Sequence, residues 1–381
     1  MRILGFGTYD ITKHPRVGIV LEGLRADGDD IVEANAPVGF STAERVAMLQ
    51  KPWTAVRIVP RILRSWRTII RQARRAGRNG RWDAVVVGYL GHFDVLLARA
   101  LFPRDTIVLD LLIFAADTAR DRGIDSRLKL KSLALLDSMA IRCADVVMVD
   151  TAEHAAHLPR AQQHKGVVVA VGASSRWFDA GGHGAAGVSP AAAPLQVVFF
   201  GHFTPLQGTA VIGEALGELA ESDDIEITMI GQGQEWELAR GLAVANSHVT
   251  WVDWVEPDDL PTLVAARDVC LGIFGTGPKA LRVVPNKVYQ GAAAGCAIVT
   301  SGTAPQRRLL GDAAVFVPPG DPTSLADALR RLSADRPLVS AMRQAARRRS
   351  LDEFTASAVV TPLRKRLAVA VKPRRTADEP F

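Results

Sequence analysis

Along most of the chain, short runs of β-branched and aliphatic residues alternate with longer stretches in which apolar positions return every three or four residues. Runs that are apolar without interruption fit strands buried on both faces, and the intervening stretches fit crossover helices, so the pattern predicts parallel sheets in an α/β fold. In the first half strands are expected at 2–7, 84–88, 106–110, 145–150 and 166–171. In the second half they are expected at 196–201, 225–231, 249–252, 269–274, 297–301 and 314–317. Residues 179–194 are rich in Gly, Ala and Pro and have no apolar period, which marks a connection. The expected organisation is a first domain over 1–175, a linker over 176–195 and a second domain over 196–355. A C-terminal helix and tail over 356–381 complete it.

Composition narrows the class. With 381 residues and 48% hydrophobic content, the chain can bury two cores of ordinary size. Cys143, Cys270 and Cys296 are odd in number and far apart, which argues against a disulfide framework or a metal-ligand pair and fits a reducing cytoplasm. No apolar stretch reaches spanning length and no secretory leader is visible. A formal net charge of +6 suits nucleic acid, anionic lipid or a phosphorylated substrate equally well, so the placement of the charge has to decide.

Ligands of doubly wound sheets bind beyond the carboxyl ends of the strands, and there the second half is rich in glycine. The segment after 269–274 carries Gly275, Gly277, Lys279, Arg282 and Lys287 and then opens a small-residue helix near Pro285. Free amides and the dipole of a first helical turn attract anions, so cations placed around that turn suit a diphosphate. Gly201, His202, Gln207 and Gly208 form a second loop of this kind, and Gly231 and Gly233 a third. One such loop is most simply a tight turn; three on one edge favour a nucleotide or nucleotide sugar.

Taken in order, these segments resemble the donor-binding domain of family 4 glycosyltransferases. The residues that carry the resemblance are 199–208, 230–233, 249–260, 285–299 and 316–327, with a weaker likeness over 5–16 and 171–173. The resemblance implies two facing Rossmann-like domains of the GT-B type with a cleft between them. It implies retention of anomeric configuration, no bound metal, and no cofactor beyond the nucleotide-diphosphate sugar that acts as co-substrate. The aligned first loop has His202 and Gln207 where the family has Arg and Lys. The paired glutamates eight residues apart are replaced by Arg282 and Gln290. Charge relocation onto Lys279, Arg282 and Lys287 accounts for the change; loss of catalysis is the competing account. The donor set is therefore Gly201, His202, Gln207, Gly231, Gly233, Gly275, Lys279, Asn286 and Gln290, with Arg282 and Lys287 stabilising the leaving diphosphate.

In the first domain, the segment 88–94 ends a strand and places His92 at a sheet edge, as a catalytic residue by resemblance or as a structural histidine. Arg16, Asp110 and Asp117 are candidates for binding an acceptor, a glycan or a lipid-linked hydroxyl compound; Asp110 and Asp117 read equally well as helix caps. From Arg57 to Arg81, arginines recur every three or four residues opposite Ile58, Ile62, Leu63, Trp66, Ile69, Ile70 and Ala73, which predicts a basic amphipathic helix. Such a helix packs on its domain and presents a basic face suited to an anionic membrane surface. No nucleic-acid-binding motif accompanies it. The basic stretch 362–375 is expected to return to the first domain and extend that surface. These features together predict a cytoplasmic, peripherally membrane-bound glycosyltransferase, with a silent nucleotide- or glycan-binding protein or a nucleotide-sugar epimerase as alternatives.

Overall fold

The structure is a computed structural model that describes residues 1–12, 14–39, 59–121, 124, 126–183 and 193–371. It divides into two compact units, Met1–Val169 with the chain from Val359, and Ala170–Ala358. Each holds a six-stranded, wholly parallel sheet.

In the first unit the strands are β1 (Arg2–Gly7), β2 (Asp30–Asn35), β3 (Ala84–Val87), β4 (Thr106–Asp110), β5 (Val146–Val149) and β6 (Gly166–Val168), in the order β2-β1-β3-β4-β5-β6. The central strands are largely apolar because helices cover both faces: Leu4, Phe6, Val85, Val87, Ile107, Leu109 and Val147 share one buried cluster. Strand β2 is the one that periodicity misses. Its sequence Asp-Ile-Val-Glu-Ala-Asn sits on the sheet edge, mostly half-exposed, so it has no continuous apolar run to betray it.

The second unit contains β7 (Leu195–Phe200), β8 (Ile225–Ile230), β9 (Val249–Val252), β10 (Val269–Leu271), β11 (Ala297–Ser301) and β12 (Val315–Val317), in the order β12-β11-β10-β7-β8-β9. This is the dinucleotide-fold order, and its switch point falls between β10 and β7. Strand β10 stops three residues earlier than its apolar run suggests. A Cβ on Gly272 would lie 2.1 Å from Thr300 Oγ1, and that hydroxyl accepts the Ile273 amide at 3.2 Å, so a side chain takes over from the ladder.

The stretch expected to be a linker is partly structured. Helix Ser175–His183 belongs to the second unit, its Phe178 carbonyl bonded by Arg347 Nη2 at 3.0 Å, and 184–192 lie outside the described residues. Helix Ala356–Ala370 packs on the first unit through Val359, Val360, Leu363 and Leu367. Arg364 bonds Asp27 at 2.7 Å and Arg366 the His164 carbonyl at 2.8 Å, so these two cations fasten the helix rather than form an open patch. Residues 372–375 of that basic stretch, and the rest of the tail, lie outside the described residues.

Candidate functional site

The carboxyl edge of the second sheet is built by the loops after β7, β8, β10 and β11. The glycines expected to admit a ligand also let neighbouring loops pack closely there. A Cβ on Gly231, whose φ is +121°, would stand 2.0 Å from the Gly201 carbonyl; one on Gly233 would stand 2.3 Å from the Phe203 carbonyl. At Gly275 the same space is filled by the carbonyls of Pro205 and Leu206, at 2.4 and 2.6 Å. These three glycines let the β8 and β10 loops close onto the β7 loop from either side. The Phe274 amide completes the join by bonding the Gln207 carbonyl at 3.0 Å.

Lys287 occupies the switch point. It lies in the first turn of helix Asn286–Ala293, whose N-cap is Pro285 and whose first turn has no side-chain cap. The residue is 5% exposed, its Nζ sits 3.5 Å from the centroid of the Phe199 ring, and that Nζ has no hydrogen-bond partner. Burial pushes the ammonium well below its ordinary pKa; the nearby Cys270 thiol opposes this only weakly, being itself pushed up to about 12 by burial. The path outward is short. Gly201 is exposed, and a Cβ there would lie 3.2 Å from Lys287 Nζ, so the ammonium sits directly beneath backbone that carries no side chain. Two further buried oxygens on this edge lack partners, Gln207 Oε1 and Thr303 Oγ1. Thr303, just past β11, went unnoticed in the sequence because a lone threonine before a helix reads as an ordinary cap.

The other expected donor residues are less enclosed. His202 is exposed; Lys279, Asn286 and Gln290 are half-buried. Arg282 ends the 3-10 turn Ala280–Arg282, and its Nε bonds the Pro278 carbonyl at 2.9 Å, which fixes the guanidinium to its own turn.

In the first unit the end of β4 and the start of helix Arg16–Ala26 bring Asp110 and Arg16 together. Arg16 Nε bonds Asp110 Oδ1 at 2.8 Å, with both side chains almost fully buried. Arg16 Nη1 and Nη2 and Asp110 Oδ2 have no partner. Burial raises the Asp110 carboxyl above its ordinary range; Arg16 opposes that rise and Asp150 adds to it. Asp117 is not part of this group. It pairs with Arg120 at 2.9 Å and with His157 at 3.3 Å.

His92 is pinned, its Nε2 lying 2.9 Å from Asp137 Oδ1. Asp137 also accepts the amides of Ala115 and Ala116, so it caps helix Ala115–Asp121 from the side and gives His92 a structural anchor. Asp110 does not cap that helix, since its Oδ1 takes Arg16 and its Oδ2 has no partner. Asp150 and His154, 2.5 Å apart through Oδ1 and Nδ1, form a second buried pair. Its signal was available: an Asp at the end of a strand and a His one helical turn later.

Two six-stranded parallel sheets, each with polar groups at its carboxyl edge, are the architecture of the GT-B class of two-domain folds. Residues 194–335 match the family described as Glycosyl transferases group 1. No curated protein matches the sequence. Among solved structures, the chain is similar to sucrose-phosphate synthase from Thermosynechococcus elongatus, with a TM-score of 0.66 at 14% identity over 97% of this chain and 100% of that one. It is also similar to HepE of Anabaena in complex with UDP-glucose, with a TM-score of 0.64 at 12% identity over 97% and 99%. A third is the UDP-forming α,α-trehalose-phosphate synthase of Burkholderia xenovorans in complex with glucose-6-phosphate, with a TM-score of 0.62 at 14% identity over 96% and 99%.

Proposed function

We propose that the protein is a hexosyltransferase that moves a sugar, with retention, from a nucleotide-diphosphate sugar to a hydroxyl of a glycan or lipid-linked acceptor. The observation that carries this reading is Lys287, a buried amine without a partner at the switch point of a dinucleotide-type sheet. A buried amine without a partner is costly, and the cost is recovered when an anion arrives. A diphosphate reaching Lys287 past Gly201 also meets the uncapped first turn of helix Asn286–Ala293, which adds amide donors and the positive end of the dipole. As the bond between the sugar carbon and the diphosphate oxygen breaks, negative charge accumulates on the leaving group. An ammonium in a dry setting stabilises that charge more than it stabilises the intact donor, which lowers the barrier. The work assigned to Lys287 needs no metal, and we expect transfer to persist in chelator.

The UDP-glucose in the HepE structure is the kind of donor this edge suits. Gln290, half-buried and neutral, offers both a donor and an acceptor to ribose hydroxyls. In the first unit, Arg16 and Asp110 offer unpaired donors and an unpaired acceptor to the acceptor molecule. The three thiols are free, in keeping with a reducing cytoplasm. The test is release of nucleoside diphosphate from nucleotide sugars by the wild-type chain and by Lys287→Met. Saturable nucleotide binding without any turnover, with or without acceptors, would favour the silent binder that Gln290 makes conceivable.

A further inference from the structure

Helix Val59–Ala76 contains Arg61, Arg64, Arg67, Arg71, Arg74 and Arg75 and no acidic residue. The rest of the chain therefore has 46 − 6 = 40 basic residues against 40 acidic ones, so this one helix accounts for the whole net charge of +6. Its inward face is settled: Ile69 and Ala73 are buried, and Trp66 Nε1 bonds the buried Asp94 Oδ1 at 2.7 Å. Asp94 Oδ2 in turn holds Thr8 through its amide and hydroxyl, at 2.7 and 2.8 Å, so the helix is locked to the loop after β1. At about 100° per residue, the six arginines fan over roughly 140° of the remaining circumference. All six are exposed, and Arg64, Arg67, Arg71, Arg74 and Arg75 have no acidic partner among the described residues. Beside this fan, on its border with the packed face, Val59 and Leu63 are 49% and 45% exposed.

We propose that this face docks the protein onto an anionic lipid bilayer. The charge is complementary, and the placement of the two apolar residues favours lipid over nucleic acid: when the arginines meet headgroups, Val59 and Leu63 reach the boundary between headgroups and acyl chains. The packed stripe of Ile69 and Ala73 stays in the protein, so docking needs no unfolding of the helix. Arginine stems reach sideways to phosphates while their apolar parts cover the surface around them.

The test is flotation of the full chain with phosphatidylcholine vesicles made with and without phosphatidylglycerol. Wild type is expected to float with the anionic vesicles, to stay behind with the neutral ones, and to lose binding as salt rises. Each arginine removed should weaken binding about fivefold (~1 kcal/mol at about 1.4 kcal/mol per tenfold), so Arg64→Gln/Arg67→Gln/Arg71→Gln should lose roughly 100-fold. Leu63→Asn should lose a smaller factor that salt does not screen. All three substituted arginines are exposed, and an unchanged thermal transition verifies folding of the variant. Indifference of the wild type to anionic lipid, or wild-type binding by the triple variant, overturns the proposal. So does tighter binding to RNA than to the vesicles at equal salt.

Discussion

Replacing Lys287 with Met should move stability and ligand affinity in opposite directions. Met keeps the length and apolar contacts of the lysine stem, so the change removes little more than the amine. In the unliganded protein that amine is 5% exposed, faces the Phe199 ring and has no hydrogen-bond partner. Replacing such a group with an apolar isostere should stabilise the protein by about 1–3 kcal/mol. The second unit spans 358 − 170 + 1 = 189 residues, a size at which each kcal/mol raises the melting temperature by about 2–4 °C. A nucleoside diphosphate loses a charge-assisted hydrogen bond worth about 1.5–3 kcal/mol, so its affinity should fall roughly 10- to 150-fold.

The pH dependence has a definite sign. Because burial lowers the folded-state pKa of Lys287, the unfolded chain holds the extra proton between that value and about 10.4. Stability of the unliganded protein therefore rises with pH across this window. Diphosphate binding restores the proton, so affinity falls over the same window, and Lys287→Met flattens both slopes. Cys270, pushed up to about 12, remains a neutral thiol throughout. Scanning calorimetry and titration calorimetry in buffers of different ionisation enthalpy read the two effects separately. A variant that melts lower than wild type yet binds diphosphate equally well would refute the reasoning.

The first unit gives its own tests. Arg16→Met strands the buried Asp110 and should cost about 3–5 kcal/mol in denaturant unfolding, while Arg16→Met/Asp110→Leu should recover most of it. With the Asp110 carboxyl raised by burial, stability falls as pH rises from about 3.9 toward its folded-state pKa, and Asp110→Asn should remove that slope. Asp137→Ala uncaps the amides of Ala115 and Ala116 and releases His92, at a cost of about 1–3 kcal/mol seen as a lower thermal transition. In the second unit, Gly231→Ala forces a Cβ to within 2.0 Å of the Gly201 carbonyl at a φ of +121° and should cost more than ~3 kcal/mol, with loss of nucleotide binding.

Periodicity located every strand of the second unit because each keeps an apolar majority even where a polar residue intervenes, as Glu226 does in β8 and Thr250 in the edge strand β9. It failed at β2, where exposure on a sheet edge lets Asp30 and Glu33 interrupt the run. At the candidate site, sequence alone marked Lys287 and the glycine loops, but it could not show that Gly231, Gly233 and Gly275 also make room for neighbouring loops, since their tight contacts come from residues distant in the chain. The pairing of Arg16 with Asp110, 94 residues apart, was equally hidden, whereas both side chains were visible as candidates. His92 and Asp137 show the reverse: a histidine in a motif-like loop whose partner lies 45 residues further on.

The most direct test of the central claim is release of nucleoside diphosphate from a panel of UDP-, GDP-, ADP- and TDP-sugars. The assay uses chelator, candidate glycan and lipid-linked acceptors, and parallel samples of wild type and Lys287→Met. The account predicts release from at least one donor by wild type and a rate lower by at least tenfold for the variant. Equal rates for the two proteins, or binding of nucleotide with no release from any donor, would contradict it.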